Sequence, residues 1–259
     1  MGILNVTPDS FSDGGLYHAA GRAVERALEI EDQGADFIDI GGESTRPGAM
    51  PVPVGEELER IVPVIEALSA KINIPISVDT RKAPVAEAAV RAGACMVNDI
   101  SGLRYDPEMA STVAKLEVPV VIMHSRDDPV NMQSHVDYKD IISDIYRHLN
   151  ACVQHALNAG IKSNAIIIDP GIGFGKRVSD NFLIIKNLNR FTAMGYPVLI
   201  GVSRKAFIGK TLSVPESERL MGTASAVTAS VLYGAHLVRV HDVKAMKQVV
   251  TIADQLREK

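Results

Sequence analysis

Short apolar runs recur along this chain, and each closes on a polar side chain. The clearest is Ile166-Ile167-Ile168-Asp169, followed by Pro170 and a glycine-rich loop through Gly171, Gly173 and Gly175 to Lys176. Consecutive β-branched residues without polar alternation read as a strand covered on both faces, as in a parallel sheet. Pro170 has no N–H to give a ladder, so the strand ends at Asp169. Other runs share a common frame. Gln33-Gly34-Ala35 leads through Phe37-Ile38 to Asp39, Ala92-Gly93-Ala94 through Met96-Val97 to Asn98, and Tyr233-Gly234-Ala235 through Leu237-Val238 to Arg239. The polar residue stands five after the glycine each time. That order is helix stop, tight turn, strand, strand end. A second form opens on proline, in Ile74–Asp79, Val118–Ile122 and Tyr196–Ile200. With Gly2–Asn5 the pattern predicts eight short strands.

Between the strands the apolar spacing is helical, over Ala20–Gln33, Gly55–Ala70, Ala83–Ala92, Pro107–Leu116, Tyr138–Ala159, Ser179–Met194, Ser217–Tyr233 and Val243–Glu258. Strand and helix alternating eight times indicate parallel strands joined by right-handed crossovers. The chain has 259 residues, the size of one (β/α)8 TIM barrel, and no Pro/Gly/Ser linker or charge block divides it. The expectation is a single α/β domain over residues 1–259. An open doubly wound sheet is the alternative.

Composition changes this picture only by exclusion. Hydrophobic residues make up 46% and the formal net charge is -4, so a large core forms and no polyanion partner is indicated; nucleic acid is not expected. No apolar run is long enough for a bilayer and no signal peptide is read at the start, so no membrane is expected either. Two cysteines, Cys95 and Cys152, make no disulfide framework, which favours a reducing cytoplasm; both are read as buried, inert thiols. The seven histidines show no zinc spacing. The Asp169 loop resembles two nucleotide motifs and fits neither. Arg177 stands where a Walker loop needs Ser or Thr, and Lys176 where a Rossmann fingerprint needs its third Gly.

A barrel gathers its strand ends into one ring, here Asn5, Asp39, Asp79, Asn98, His124, Asp169, Ser203 with Lys205, and Arg239 with His241. Any one of these would serve as an N-cap or turn residue. A polar residue at all eight ends is harder to explain that way. Arg239 and His241 alternate onto one face and suit a phosphate, as does Lys205 at the opening of a helical segment. Asp79, Asn98 and Asp169 fit the edge of an amino-bearing heterocycle, general acid–base work, or metal ligation, and composition does not decide among these. Two polar, glycine-rich loops, Thr7–Gly15 and Gly41–Gly48, are placed to close over a substrate or to be ordinary surface loops.

Together, the runs Gly2–Gly15, Asp39–Gly48, Ser77–Arg81, Asn98-Asp99-Ile100, Ile122-Met123-His124, Asp169–Lys176, Ser203-Arg204-Lys205 and Arg239-Val240-His241-Asp242 closely resemble the dihydropteroate synthase family, in order and along the whole chain. The resemblance implies condensation of 6-hydroxymethyl-7,8-dihydropterin diphosphate with 4-aminobenzoate, giving 7,8-dihydropteroate and pyrophosphate. By motif position it implies that Asp79, Asn98, Asp169 and Lys205 hold the pterin. Asn5 ligates Mg²⁺ together with diphosphate oxygens, and Arg46, Arg239 and His241 bind the diphosphate. Thr45 and Pro47, with Phe174, help form the aminobenzoate pocket, and Met123 is a further substrate-binding residue. Asp79, Lys205, Arg239 and His241 are the residues it marks as catalytic, with Asp39 in support. It further implies a homodimer and small-molecule substrates. Two departures stand out. The family usually carries residues ahead of its first strand, and Ala206 replaces a serine whose hydroxyl meets the aminobenzoate carboxylate, which predicts weaker binding there. A pterin-dependent methyltransferase would need neither early loop nor the Arg239/His241 pair. A pterin-binding module without catalysis would need no Mg²⁺–diphosphate group.

Overall fold

The structure, a computed structural model, describes residues 1–7, 15–45, 48–126 and 136–257, without the side chains of residues 15–19. Its elements run β1 (Gly2–Asn5), α1 (Gly15–Asp32), β2 (Ile38–Gly41), α2 (Val54–Ser69), β3 (Ile76–Asp79), α3 (Ala83–Ala92), β4 (Met96–Asp99), α4 (Met109–Leu116), β5 (Val120–Met123) and α5 (Ile141–Asn158). They continue through β6 (Ile166–Asp169), α6 (Val178–Lys186), α7 (Leu188–Thr192), β7 (Leu199–Ile200), α8 (Ala206–Leu212), α9 (Leu220–Leu232), β8 (Leu237–Val238) and α10 (Val243–Leu256).

Strands β1 to β6 pair in parallel and in sequence order, and β7 pairs with β8. Two bridges complete the ring. Ile168 on β6 meets Val198 ahead of β7, and Gly2 on β1 meets Val240 beyond β8. The Ile168 N–H donates to the Pro197 carbonyl at 2.9 Å; the Val240 N–H reaches Met1 O and the Ile3 N–H reaches Val240 O, both at 3.0 Å. A closed ring leaves no free sheet edge, and the barrel expected from the strand count is the fold observed.

The three isoleucines of β6 divide as a strand period of two requires. Ile166 and Ile168 face outward into the main core, among Ile38, Ile40, Val78, Val97 and Ile200 from other strands and Ile61, Leu149 and Val227 from the helices. Ile167 faces inward and packs with Met96, Val121 and Leu199 in the barrel interior. Asp169, two residues on, shares that inward face at the mouth. The glycines that end α1, α3 and α9 hold positive φ, 90° at Gly34, 124° at Gly93 and 111° at Gly234. This is the left-handed turn that a glycine after a helix supplies.

Four details differ from the sequence reading. β2 runs on to Gly41, so Asp39 lies mid-strand, one layer below the rim. α1 starts at Gly15, five residues earlier than the apolar spacing indicated. The long helix expected over Ser179–Met194 breaks at Asn187, whose amide donates to the Leu183 carbonyl at 2.8 Å and competes with the helical ladder. Cys95 is exposed, because it precedes β4 in the turn after α3; Cys152 is buried as expected.

Candidate active site at the barrel mouth

The register sets the rim. Asn5 pairs with Gly41, Gly41 with Asp79 and Asp79 with Asn98, while Asp169 pairs with Met123. Strand pairing alone therefore brings Asn5, Asp79 and Asn98 into one row. Gly41 has a packing reason to be glycine: a Cβ there would lie 3.3 Å from the Cβ of Asp79.

Arg239 crosses the mouth from beyond β8. Its Nε donates to Asp39 Oδ2 at 2.6 Å and its Nη2 to Asp79 Oδ2 at 2.7 Å. Asn98 Nδ2 donates to the same Asp39 oxygen at 3.0 Å. Asp39 is fully buried, and its Oδ1 has no hydrogen-bond partner. It thus lies one layer below the rim and holds Asn98 and Arg239 through one oxygen. One guanidinium serves two carboxylates here. Burial pushes the Asp79 carboxyl up to about 7; Arg239 opposes that shift and the Asp39 carboxylate adds to it.

Asp169 takes the Gly171 N–H on Oδ1 at 2.6 Å. Burial raises it to about 6, against that hydrogen bond and the nearby Lys205 and Lys176 charges. Lys205 Nζ stands 4.2 Å from the centroid of the Phe174 ring, a cation–π contact. Burial lowers Lys205 to about 8, and the Arg239 charge adds to this. Phe174, Met123 and Ile100 form a small apolar cluster beside these polar groups. The mouth thus places polar groups beside a small apolar surface.

The loops beyond β7 and β8 are clamped together. Arg204 holds Asp242 through two hydrogen bonds, Nε to Oδ2 at 2.9 Å and Nη2 to Oδ1. Its backbone is left-handed at φ 56°, its carbonyl accepts from Arg219 at 2.8 Å, and its N–H donates to Thr223 at 3.1 Å. These contacts fix Lys205 next in sequence. His241 meets the Ser203 hydroxyl through its N–H and its Nδ1, both at 3.1 Å. Burial, then the Arg239 and Arg204 charges, lower His241 to about 4. It is therefore neutral at pH 7, so of the Arg239/His241 pair read as suiting a phosphate only Arg239 carries charge, and two aspartates already engage it.

Asn5 ends β1 half-buried, with an amide oxygen suited to a hard cation. Among the described residues no group of three or more His, Cys, Asp or Glu is arranged to hold a metal. An ion bound at Asn5 would thus draw most of its oxygens from substrate and water, a habit of Mg²⁺. Arg46, Pro47 and most of the first loop lie outside the described residues. Thr45 is half-buried at the described end of the second loop.

Sequence reasoning missed the groups that hold the loops. Glu43 accepts from Arg81 Nε at 3.0 Å, Lys82 Nζ at 2.6 Å and the Val52 N–H at 2.7 Å; Lys82 also bonds Glu57. These two buried cations and two buried carboxylates tie the second loop to the β3 loop. Burial alone would raise the Glu43 carboxyl, but Lys82, Val52 and Arg81 outweigh it and hold it below its usual value. Asp99, fully buried, takes the N–H groups of Ser101 at 2.7 Å and Leu103 at 3.1 Å. Charged residues within three positions after β2 and β3, and the acid that ends β4, were the available signal.

A closed barrel whose mouth gathers buried carboxylates, an amide and buried lysines is the architecture of a (β/α)8 enzyme that binds a polar small molecule. The family model described as "Pterin binding enzyme" matches residues 1–241. The dihydropteroate synthase of Bacillus subtilis is 47% identical over 259 residues, covering 100% of this chain and 88% of that protein. A dihydropteroate synthase from Clostridium difficile, crystallised in the presence of pteroic acid, superposes with a TM-score of 0.95 at 45% identity, over 100% of this chain and 96% of that one. The Xanthomonas albilineans enzyme with 4-aminobenzoic acid gives 0.93 at 45% identity, over 99% and 92%. The chain belongs to the pterin-binding enzymes and, within them, to the dihydropteroate synthase family.

Proposed function

We propose that this mouth seats a 6-hydroxymethyl-7,8-dihydropterin diphosphate with its ring edge on Asp79, Asn98, Asp169 and Lys205, and that the chain joins it to 4-aminobenzoate. The observation that carries the reading is the buried acceptor set. Asp79 and Asn98 are paired across β3 and β4 and Asp169 lies on the inward face of β6, all within one closed ring. The pteroic acid and 4-aminobenzoic acid named with the two solved relatives support the same pair of substrates.

The chemistry follows from what these groups do to charge. The C–O bond between the pterin methylene and the diphosphate breaks, and its electron pair leaves with pyrophosphate. The ring nitrogens feed electrons to the methylene carbon, and the fixed Asp79 and Asp169 carboxylates stabilise that developing positive charge through hydrogen bonds to the ring N–H groups. Arg239, His241 and Arg46 receive the diphosphate, Arg239 as cation and His241 as a neutral hydrogen-bonding group. Mg²⁺ held by Asn5 and the diphosphate oxygens would supply further positive charge to the leaving group. The aniline nitrogen forms the new C–N bond and its proton passes to solvent. Phe174, Met123, Thr45 and Pro47 orient the aminobenzoate ring and exclude water. No side-chain nucleophile takes part. Arg239 holds Asp39 through Nε and Asp79 through Nη2, and its Nη1 is the nitrogen offered to the diphosphate, so it links the ring seat to the leaving group.

The functional partner is a second copy of this chain as well as the substrates. Leu232, Ile252 and Leu256 on α9 and α10 are 42%, 63% and 64% exposed and offer apolar surface to that copy, whereas Val231 is buried in the core. Sedimentation is expected to give twice the chain mass. A cytoplasmic location belongs to the same reading; no helix among the described residues is long and apolar enough to cross a membrane. The deciding experiment mixes the protein with both substrates and Mg²⁺ and follows dihydropteroate by chromatography. Product that requires both substrates supports the reading. Absence of product from the full mixture ends it, and methyl transfer from a methylated folate would favour the methyltransferase instead.

A further inference from the structure

Lys176 closes a glycine-rich loop, where a lysine would ordinarily be read as an anion ligand. The structure uses it differently. Gly171, Gly173 and Gly175 hold φ of 72°, 83° and 58°, so alternate residues turn the loop back on itself. The Lys176 side chain folds underneath and is only 5% exposed. Its Nζ lies 3.0 Å from His124 Nδ1 and donates to the Phe174 carbonyl at 2.9 Å. His124 stands just past β5, and the His124 N–H in turn donates to the Asp169 carbonyl at 2.8 Å. The amine therefore joins the β5 loop to the backbone of the residue whose ring faces Lys205.

We propose that Lys176 is a positioning residue, an internal strut between His124 and the Phe174 carbonyl that seats the Phe174 ring against the aminobenzoate and takes no part in binding the diphosphate. This rests on the reading of Phe174 as part of the aminobenzoate pocket.

The chemistry of the pair agrees. An ammonium has three donors and no acceptor, so Nδ1 of His124 must offer its lone pair. Burial, then the neighbouring Lys176 charge, hold His124 well below its ordinary pKa, which keeps that lone pair free. The same burial brings Lys176 down to about 7, offset in part by Asp169. Either protonation state of the amine still has an N–H for the Phe174 carbonyl. His148 packs edge-on to His124 with ring centroids 4.6 Å apart and is itself lowered to about 4 by burial, so it brings no competing charge. Tyr138 donates to the Gly175 carbonyl at 3.0 Å and Asn181 accepts the Gly173 N–H at 2.7 Å. The loop is thus held at several points, but Lys176 is the side chain that holds the Phe174 carbonyl.

The test compares Lys176→Met, His124→Leu and His124→Asn with the unaltered protein at pH 8, where Asp169 is ionised with or without the amine. Lys176→Met and His124→Leu are expected to raise KM for 4-aminobenzoate about tenfold. The calorimetric Kd for the pterin diphosphate should stay within threefold. His124→Asn places an amide oxygen where Nδ1 was and should restore KM. Unchanged aminobenzoate KM in Lys176→Met overturns the strut, and an equal loss of pterin-diphosphate affinity makes Lys176 a direct ligand and overturns it too. Hydrogen exchange is read on the same proteins without substrate. The Phe174 amide, which donates to Gly171 O at 3.2 Å, should exchange about tenfold faster in both disrupted variants. Unchanged exchange contradicts the strut even if the protein proves to have no synthase activity. If Lys176→Met fails to fold, the His124 pair decides alone.

Discussion

At the scale of single residues, the site depends on groups that are expensive to disturb. Gly171 is left-handed at φ 72°, and a Cβ there would fall 2.0 Å from the His124 carbonyl oxygen. No side-chain rotation relieves a clash with backbone, so Gly171→Ala should cost at least about 2 kcal/mol. For a chain of this size that is a fall in Tm of roughly 4 to 8 °C, read by calorimetry; an unchanged Tm would mean the loop is not built as described. Arg239 poses a different problem. Removing it leaves Asp39 and Asp79 facing each other without a cation, a loss of roughly 3–5 kcal/mol for a broken buried pair. Arg239→Met should therefore lower stability as well as turnover, and a purely kinetic defect would show that the pairing is dispensable. Ala206 opens α8 where the family resemblance expects a hydroxyl. Ala206→Ser should lower KM for 4-aminobenzoate about tenfold, since a hydrogen bond to a carboxylate contributes about 1.5–3 kcal/mol. Steady-state kinetics with the pterin saturating checks it.

At the scale of elements, strands β3, β4 and β6 together form an acceptor set whose charge depends on pH. Asp79 titrates at about 7 and Asp169 at about 6, both raised by burial. In the proposed seat, a pterin that donates N–H groups would pair with the ionised carboxyls. As pH falls through these values each carboxyl takes a proton and loses its acceptor role. Pterin affinity should therefore weaken below pH 7, approaching about tenfold per unit for each group once it is mostly protonated. Near pH 6, binding should release protons, visible by titration calorimetry in buffers of different ionisation enthalpy. Proton uptake, or a Kd flat from pH 5 to 8, would contradict the assignment.

The same elements show what a sequence can carry. The Ile166–Asp169 run and the glycines five residues before Asp39, Asn98 and Arg239 were enough for β6, β2, β4 and β8, because a buried strand and a helix-ending glycine each leave a local mark. Asp39 was placed one layer too high because nothing local separates Ile40-Gly41 as strand from the start of a loop. The break at Asn187 turns on a side-chain bond to Leu183 that helical apolar spacing cannot register. Cys95 misled for the opposite reason, since its apolar neighbours belong to the strand that starts one residue later.

At the scale of the whole molecule, ring closure converts eight separated strand ends into one receptor. The Ile168–Val198 and Gly2–Val240 bridges bring the β8 loop beside β1 and β2, and only then does Arg239 reach Asp39, 200 positions away in the chain. Residue types at strand ends were legible from the sequence. Their partners were not, because a guanidinium shared by Asp39 and Asp79 is a product of closure. The loop clamps at Glu43 and Arg204 were hidden for the same reason.

The account stands most directly on Asp169 as part of a pterin seat. Titration calorimetry of the pterin diphosphate into the unaltered protein and into Asp169→Ala isolates that claim from catalysis. The variant is expected to lose at least a hundredfold in affinity, with its Tm within a few degrees of the original. Retained affinity in a folded variant would contradict it.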